Sequence, residues 1–521
     1  MPVARAQVRL GRVGANELLL DGSLSGQSDY APAPLARYVW FQEDALGGIR
    51  ALGEGVQLAT PMPSGSAQAV YRLRVTDARG RSDVARAVWT PAGLDAIWPD
   101  GAVVYGVQPP LFGRPALRAV TAAVPNLADL GVDTLWLTPI FATAAHDFGF
   151  DVSDYFRVRP DYGNDADLTE LIRQAHQHGL HVLLDLPANH TSREHRYFAQ
   201  ADAHGRTSHY HAFYVRDSLG QPTHFDRTQL PNLDYDQDEV GRFMLDVSSH
   251  WLTDFAVDGY LIAAAWGVRA RSPSYWRRFI PEVRRISPAI MLIAEGSARD
   301  VYYNTSGFDA AYDWSAELGK SAWEHVFDDV HGIAQKLSEA ERETLWSAAI
   351  PERILHFLNN NDSGERFITR DGPGMTRVAT AALLTLPGVP SLYSFDEVGA
   401  EFPPYAEPAP LKTKNPELRE FHKRWIHLRR TLTAMHGDGF IALYVGKQDE
   451  AFVVLRFAGT SVALIALNFS EHPAQITVPI PKSRWRAAHL REASTGETLT
   501  MKDNTLRLDL PSWDARVFMP D

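Results

Sequence analysis

The sequence predicts a multidomain α/β protein in which a (β/α)8 barrel, with a short insertion after its third strand, lies between an N-terminal and a C-terminal β-sandwich. Two observations support this prediction. Short apolar strands alternate with helical segments through the middle of the chain, while both ends alternate apolar and polar residues between turn clusters. Roughly eight strand–helix units over roughly 330 residues match the size of such a barrel.

The composition is that of a folded globular chain. Its 521 residues are 45% hydrophobic and 22% charged, which is typical of soluble proteins with about two to four domains. The net charge of −12 argues against nucleic-acid binding, because a phosphate footprint needs clustered Lys and Arg. The absence of cysteine excludes disulfides and Cys-ligated zinc. No apolar run reaches the ~20 residues of a membrane-spanning helix, so we expect no membrane span.

Residues 1–92 are predicted to form the N-terminal sandwich. Segments such as NELLLDGSLSG and ARYVWFQED look like strands closed by Gly, Asp or Ser. Together with the strand YRLRVTDARG, these segments resemble PKD-type, immunoglobulin-like modules of bacteria, which are commonly extracellular spacers or contact surfaces. That resemblance favours an extracellular or periplasmic location and is compatible with an oligomer, although no signal peptide is visible at the N-terminus.

Residues 93–436 are predicted to form the barrel, with the insertion at residues 190–235, and residues 437–521 the C-terminal antiparallel sandwich. The barrel strands that stand out as apolar segments are GAVVYGV, VDTLWLTPIF, HVLLDLP, DGYLIAAA, IMLIAEG, ILHFLNN and PSLYSF. Near-continuous apolar strands are typical of a parallel sheet that is covered on both faces.

Polar residues follow several of these strands at the end where barrel active sites lie. They are Asp185, Asn189, His190, Glu295, Asn361 and Asp362. Carboxylates beside histidines are typical of sugar chemistry, because one acid can protonate a glycosidic oxygen while another stabilises an oxocarbenium-like transition state. A single Asp after a strand is more commonly a helix cap. The prediction therefore depends on all of these polar residues together.

The ordered motifs resemble the alpha-amylase family, glycoside hydrolase family 13, from about residue 98 to the C-terminus. The segments that carry the resemblance are GVDTLWLTPIF, DLPANH, VDGYLIAAAWGV, IAEG, FLNNND and LPGVPSLYSFDEVGA. The resemblance implies an α-glucan or other oligosaccharide ligand, with Glu295 as the general acid/base and Asp362 as the transition-state stabiliser. It further implies substrate contacts at positions Asp185, His146, His190, Phe150 and Asn361.

The same motifs depart from the family around one subsite. Ala263 stands where the family has its nucleophilic Asp, and Leu261 where it has the Arg that orients this nucleophile. Phe150 and Asn361 likewise stand where the family has Tyr and His. A methyl group cannot form the covalent intermediate of a retaining glycosidase, and losing the nucleophile typically raises the barrier by about 5–8 kcal/mol. We expect Ala263 to line the mouth opposite Glu295.

The paired loss of Arg and Asp is expected to leave an apolar patch without an unpaired charge. It favours natural divergence over an engineered change, because a deliberate inactivation would need only position 263. The favoured function is a non-hydrolytic relative that binds an α-glucan or other ligand, since ordinary retaining hydrolysis is not expected. The alternatives are a hydrolase or transglycosylase that uses Glu295 and Asp362 in a modified mechanism, and a scaffold that binds a partner protein.

No cofactor is required by any of these functions. Asn189 resembles a position that helps to hold a structural calcium ion in many relatives. Oxygen ligands for calcium are plentiful in acidic segments such as DYDQDE. An acidic loop that is merely solvated is the alternative to a calcium site.

Overall fold

The computed structural model covers most of the barrel and C-terminal regions and part of the N-terminal region. It describes residues 2, 4, 6–10, 17–23, 25–27, 33–43, 49–62, 69–89, 101–143, 148–225, 229–315, 319–329, 331–348, 353–403, 415–447 and 449–521.

The described N-terminal strands form two antiparallel sheets. They are β1 (Gln7–Leu10), β2 (Glu17–Asp21), β3 (Leu35–Glu43), β4 (Ile49–Glu54), β5 (Gln57–Pro61), β6 (Ala69–Asp77) and β7 (Ser82–Trp89). One sheet has the order β1-β2-β5 and the other the order β4-β3-β6-β7. The buried side chains of Leu20, Trp40 and Leu73 belong to one apolar cluster, so the alternating pattern of the sequence forms a packed core.

The central strands form a closed parallel barrel and one hairpin. They are β8 (Val104–Val107), β9 (Thr134–Leu137), β10 (Phe141–Thr143), β11 (Val152–Val158), β12 (His181–Pro187), β13 (Gly259–Ala263), β14 (Met291–Ser297), β15 (Ala310–Tyr312), β16 (Ile354–Phe357) and β17 (Val389–Tyr393). Strands β10 and β11 pair as an antiparallel hairpin, and the other eight close the barrel in the order β8-β9-β12-β13-β14-β15-β16-β17. The predicted (β/α)8 barrel is confirmed.

Helices follow or cover the barrel strands. The described ones are α1 (Ala116–Leu130), α2 (Asp165–Gln177), α3 (Arg196–His204), α4 (Asp238–Asp254), α5 (Ala265–Arg271), α6 (Tyr275–Ile286), α7 (Val301–Ser306), α8 (Ile333–Ser347), α9 (Phe367–Thr385) and α10 (Pro416–Thr431). Among these described helices, none is long and apolar enough to cross a bilayer.

The barrel interior is a packed core separate from the layer between strands and helices. Trp136, Leu261 and Tyr312 belong to the interior cluster. Gly106 of β8 makes room for two interior rings, because a Cβ there would lie 2.5 Å from the ring of Tyr393 and 3.1 Å from that of Trp136. The barrel interior is therefore a core filled with side chains, as is typical of this fold.

The segment after β12 folds back onto the barrel as the predicted insertion. It contains α3 and two short 3-10 helices, at Gly205–Thr207 and His209–Phe213. Its end is tied to its start by backbone bonds, in which Leu233 N donates to Asn189 O at 3.1 Å and Thr191 N donates to Pro231 O at 3.2 Å. These bonds place the wall of the insertion beside the end of β12.

The C-terminal strands form a second all-β domain. They are β18 (Gly439–Val445), β19 (Ala451–Ala458), β20 (Ser461–Asn468), β21 (Ala474–Pro479), β22 (His489–Glu492), β23 (Thr498–Thr500), β24 (Thr505–Leu510) and β25 (Ala515–Pro520). A six-stranded sheet of order β18-β19-β20-β25-β22-β23 is accompanied by the pair β21-β24, and Val453, Leu464 and Trp485 lie in their shared core. The fold class is confirmed, while the residue boundaries assigned to the domains stay predictions.

Candidate functional site

The alternation of β13 determines which of its side chains enter the barrel. Leu261 belongs to the interior cluster, whereas Tyr260 points outward and donates from its hydroxyl to Ser248 O of α4 at 2.7 Å. Because side chains alternate along a strand, Ala263 faces the interior at the carboxyl end of β13. Ala263 is 5% exposed, so position 263 is buried at the edge of the mouth.

The neighbouring strands place two carboxyl groups at the same end of the barrel. Leu183 of β12 and Ile293 of β14 lie in the interior cluster, so alternation also directs Asp185 and Glu295 inward. Asp185 pairs with Leu261 in the parallel register. The strand ends predicted to carry acid chemistry therefore meet at the barrel mouth.

Glu295 is held against the segment that follows β13. The backbone N–H of Ala264 donates to Glu295 Oε2 at 2.6 Å, and the side chain of Trp266 also hydrogen-bonds to this carboxyl. Ala264 adopts the left-handed conformation with φ 49° and ψ 35°, which costs a non-glycine residue about 1–2 kcal/mol. Glu295 thus leans onto the end of β13 rather than facing Ala263 across an open gap.

The pKa of Glu295 is suited to proton transfer near neutral pH. Burial, reinforced by the charge of Asp362, raises the pKa of Glu295 to about 7, although the bonds from Ala264 and Trp266 act in the opposite direction. Its side chain keeps partial exposure. A carboxyl group with this pKa is present in both protonation states at pH 7 and can donate a proton to a bound ligand.

Asp185 lies beside Leu261, which offers it neither a hydrogen bond nor a charge. Its side chain is buried, and among the described residues its Oδ1 has no hydrogen-bond partner. Burial and the charges of Glu295 and Asp362 raise the pKa of Asp185 well above its ordinary value, so the site favours the protonated form of this carboxyl. The expectation that losing both family charges leaves no unpaired charge stays a prediction, and Leu261 beside Asp185 supplies no cation to it.

The turn after β16 presents Asp362 to the same site. Asn360 Oδ1 accepts from Asp362 N at 2.9 Å, and Asn359 Nδ2 donates to Asp396 Oδ1 at 2.9 Å. Asn361 is buried in this turn and Asp362 is exposed. The charge of Asp362 raises the pKa of both other carboxyls, so the structure brings the three predicted acids together.

Aromatic rings and a neutral histidine form the wall of the mouth on the insertion side. His190 Nε2 donates to Phe150 O at 3.2 Å, and burial lowers the pKa of His190 to about 4. Its ring stacks on Phe225 with 5.0 Å between centroids, and Phe225 lies 5.9 Å from Trp266. The candidate residue His146 lies outside the described residues.

Asn189 lies behind this wall rather than in it. Its Oδ1 accepts a hydrogen bond from Arg271 Nη2 at 2.5 Å, and its Nδ2 donates to Asn232 Oδ1 at 3.1 Å. No group of three or more His, Cys, Asp or Glu side chains is placed to hold a metal ion within the described part of the chain.

Sequence reasoning missed Ala264, Trp266 and Phe225. The role of Ala264 depends on a backbone conformation, and that of Phe225 on a contact between the insertion and the barrel. Trp266 lies within the segment VDGYLIAAAWGV that carries the family resemblance, so a search for aromatic residues past Ala263 would have found it.

Comparisons with known proteins agree with this architecture. A family model for the alpha-amylase catalytic domain matches residues 112–424. The chain is 27% identical over 454 residues to a cyclomaltodextrinase from Geobacillus thermopakistaniensis, a match that covers 81% of this chain and 73% of the relative. It is 24% identical over 422 residues to neopullulanase 2 from Thermoactinomyces vulgaris, covering 77% of this chain and 70% of the relative.

A solved structure of a cyclomaltodextrinase matches over 96% of both chains with a TM-score of 0.72. Its sequence identity to this chain is 18%, so the likeness concerns the fold. The match extends across both flanking β-rich regions as well as the barrel.

Proposed function

The chain belongs to the alpha-amylase family, and on that premise we propose that it binds an α-linked glucose oligosaccharide at the barrel mouth without forming a covalent glycosyl intermediate. The observation that carries this proposal is Ala263, whose methyl group ends β13 where the family resemblance places the nucleophile. The acids Asp185, Glu295 and Asp362 remain at the same mouth.

The ligand class follows from the relatives and from the chemistry of the mouth. The similar proteins include a cyclomaltodextrinase and a neopullulanase, whose names indicate action on α-glucans. Carboxyl groups can hydrogen-bond sugar hydroxyls, and the rings of Phe225 and Trp266 offer apolar faces to a pyranose. The mouth therefore combines polar and aromatic groups in the way that an oligosaccharide requires.

The acid that directly precedes β13 does not replace the missing nucleophile. Asp258 lies at the amino end of the strand, where its Oδ2 accepts from Val182 N at 2.7 Å and pairs with His176 Nε2 at 2.8 Å. At ~3.3 Å per residue, Asp258 is roughly 15 Å from the carboxyl end. Double displacement needs a carboxylate about 5–5.5 Å from the acid, and Asp258 cannot supply it.

A second candidate function is hydrolysis by a single displacement. It is favoured by the pKa of Glu295, raised to about 7 beside Asp362. In that reaction Glu295 would protonate the leaving oxygen, and Asp362 would accept a proton from the attacking water. The product would have the inverted anomeric configuration, whereas a retaining enzyme would conserve it.

Titration calorimetry with maltohexaose tests the binding proposal, and proton NMR of the same mixture follows cleavage. We expect saturable binding and an intact ligand. Phe225→Ala should weaken binding about tenfold by removing a ring from the wall, whereas Leu219→Ala, at an 83% exposed position of the same insertion, should not. Slow release of the inverted anomer would support the second candidate, and absence of binding would contradict both and favour the scaffold function.

One finer assignment accompanies the proposed function. We assign the N-terminal two-sheet domain to a PKD-type module that offers a contact surface, on the sequence resemblance of its strands. Light scattering of the full chain and of a form without residues 1–92 tests this role, because a contact surface there would lower the oligomeric state of the shortened form.

A further inference from the structure

A cationic side chain joins the insertion to the barrel. Arg271 is the last residue of α5, and its Nη2 donates to Asn189 Oδ1 at 2.5 Å and to Asn189 O at 3.4 Å. Asn189 is fully buried. Since the guanidinium stays charged at all ordinary pH values, a permanent positive charge lies at the point where the chain leaves β12 for the insertion.

Both polar atoms of the Asn189 side chain and its backbone carbonyl have hydrogen-bond partners. Besides the bonds to Arg271, its Nδ2 donates to Asn232 Oδ1 at 3.1 Å, and its backbone O accepts from Leu233 N at 3.1 Å. Both of these partners come from the returning strand of the insertion. Asn189 therefore connects the start of the insertion, its end and helix α5.

The backbone beside the guanidinium leaves room for it. A Cβ on Gly267 would lie 2.6 Å from Asn189 Oδ1 and 3.4 Å from Arg271 Nη1. Any side chain at position 267 would push the asparagine oxygen away from its donor. Gly267, which has no side chain, thus leaves the space in which the guanidinium of Arg271 reaches Asn189.

We propose that Arg271 is the built-in cation of this junction and fastens the insertion to the barrel where a metal ion would otherwise be needed. Calcium requires six to eight oxygen ligands at about 2.3–2.6 Å, but Asn189 Oδ1 already accepts from a cationic donor. A second cation beside the guanidinium would be repelled. The residues present do not fit calcium, and this inference holds whether or not the mouth binds a glucan.

Thermal unfolding of the full chain in excess EDTA and in millimolar calcium tests the metal independence directly. We expect the same Tm in both. Arg271→Ala should lower the Tm by about 5 °C, because a charge-assisted bond to a buried oxygen is lost. The control Arg278→Ala removes a 53% exposed side chain that donates to Tyr235 O at 3.3 Å, and should change the Tm little.

Limited digestion with chymotrypsin locates the effect. Arg271→Ala should be cut within residues 190–235 several times faster than the unmodified chain, while Arg278→Ala should not. Arg271→Lys keeps the charge but not the planar guanidinium, so its cleavage rate should lie between those of the two alanine variants. It replaces Arg271→Ala in the experiment if that variant does not fold. A saturable rise in the Tm of the unmodified chain with calcium, or equal effects of the two alanine variants, would overturn the inference.

Discussion

Two clusters of titratable side chains in this barrel each contain a glutamate whose pKa is raised by burial. The clusters differ in whether a ligand can reach them. The mouth cluster consists of Asp185, Glu295 and Asp362, and the outer cluster, between the barrel strands and α8, consists of Asp313, Glu341 and His356. Burial raises the pKa of Glu295 and of Glu341 alike to about 7. A raised pKa alone therefore does not identify a functional site.

The outer cluster is sealed. Asp313 Oδ2 lies 2.9 Å from His356 Nδ1, the Trp323 indole donates to Glu341 Oε1 at 3.0 Å, and all four side chains are buried. In the mouth cluster, by contrast, Glu295 is partly exposed and Asp362 exposed. The position at the carboxyl ends of the strands and access to solvent separate a ligand site from a structural network.

Introducing at the mouth the two charges that the family resemblance places there should have the largest effect. Leu261→Arg combined with Ala263→Asp should raise the rate of maltohexaose hydrolysis about 100-fold or more, because it supplies a nucleophile together with a cation beside Asp185. Chromatography of the released sugars measures the rate. Ala263→Asp alone is the control and should gain much less; no gain in the double variant would mean that the mouth no longer fits a glucan.

Truncating one acid in each cluster separates their roles. Glu341→Ala should lower the free energy of unfolding by about 3–5 kcal/mol, because it leaves buried partners without their acid. Glu295→Ala should change the free energy of unfolding by less than about 1 kcal/mol. Its main effect should be on ligand binding. Denaturant unfolding and calorimetry on both variants measure this contrast, and equal stability losses would contradict it.

The free energy of unfolding, measured over a series of pH values, tests whether burial raises the pKa of Glu341 in the outer cluster. Burial raises the pKa of Glu341 in the folded state to about 7, above its ordinary value of 4.5. Protonation of the Glu341 carboxyl thus contributes its full stabilisation below pH 4.5. This stabilisation is lost as pH rises to 7, at up to about 1.4 kcal/mol per pH unit. Glu341→Gln cannot ionise, so its stability relative to the unmodified chain should increase over this window.

The control for that series is Glu339→Gln, at an exposed position of the same helix. Its stability difference from the unmodified chain should stay constant over the same pH range. A constant difference for Glu341→Gln as well would show that burial does not perturb this carboxyl in solution.

The sequence predicted most barrel strands and the three mouth acids, because apolar runs and the polar residues after them are local patterns. Strand β15 was not singled out, since its three residues, Ala310–Tyr312, include two alanines, which favour strands poorly. The bond from Ala264 to Glu295 and the stack of Phe225 on His190 could not be predicted. Each depends on a backbone conformation or a long-range contact that no local pattern encodes.

Replacing the carboxyl group of Asp185 by an amide should have the smallest effect. Because burial raises the pKa of Asp185 and so favours its neutral form, Asp185→Asn should change the free energy of unfolding by less than about 1 kcal/mol. Asp258→Asn is the matched control, since hydrogen bonds from His181, His176 and Val182 lower the pKa of Asp258. The control should lose more stability; a larger loss for Asp185→Asn would indicate an ionised carboxylate.

The central claim is that Ala263 leaves this mouth without a nucleophile. Intact-protein mass spectrometry after incubation with a fluorinated α-glucosyl fluoride, which traps the covalent intermediate of retaining enzymes, tests it most directly. The account predicts an unchanged mass for the unmodified chain and an added glycosyl group for the Leu261→Arg, Ala263→Asp variant. A glycosyl adduct on a carboxylate of the unmodified chain would contradict it.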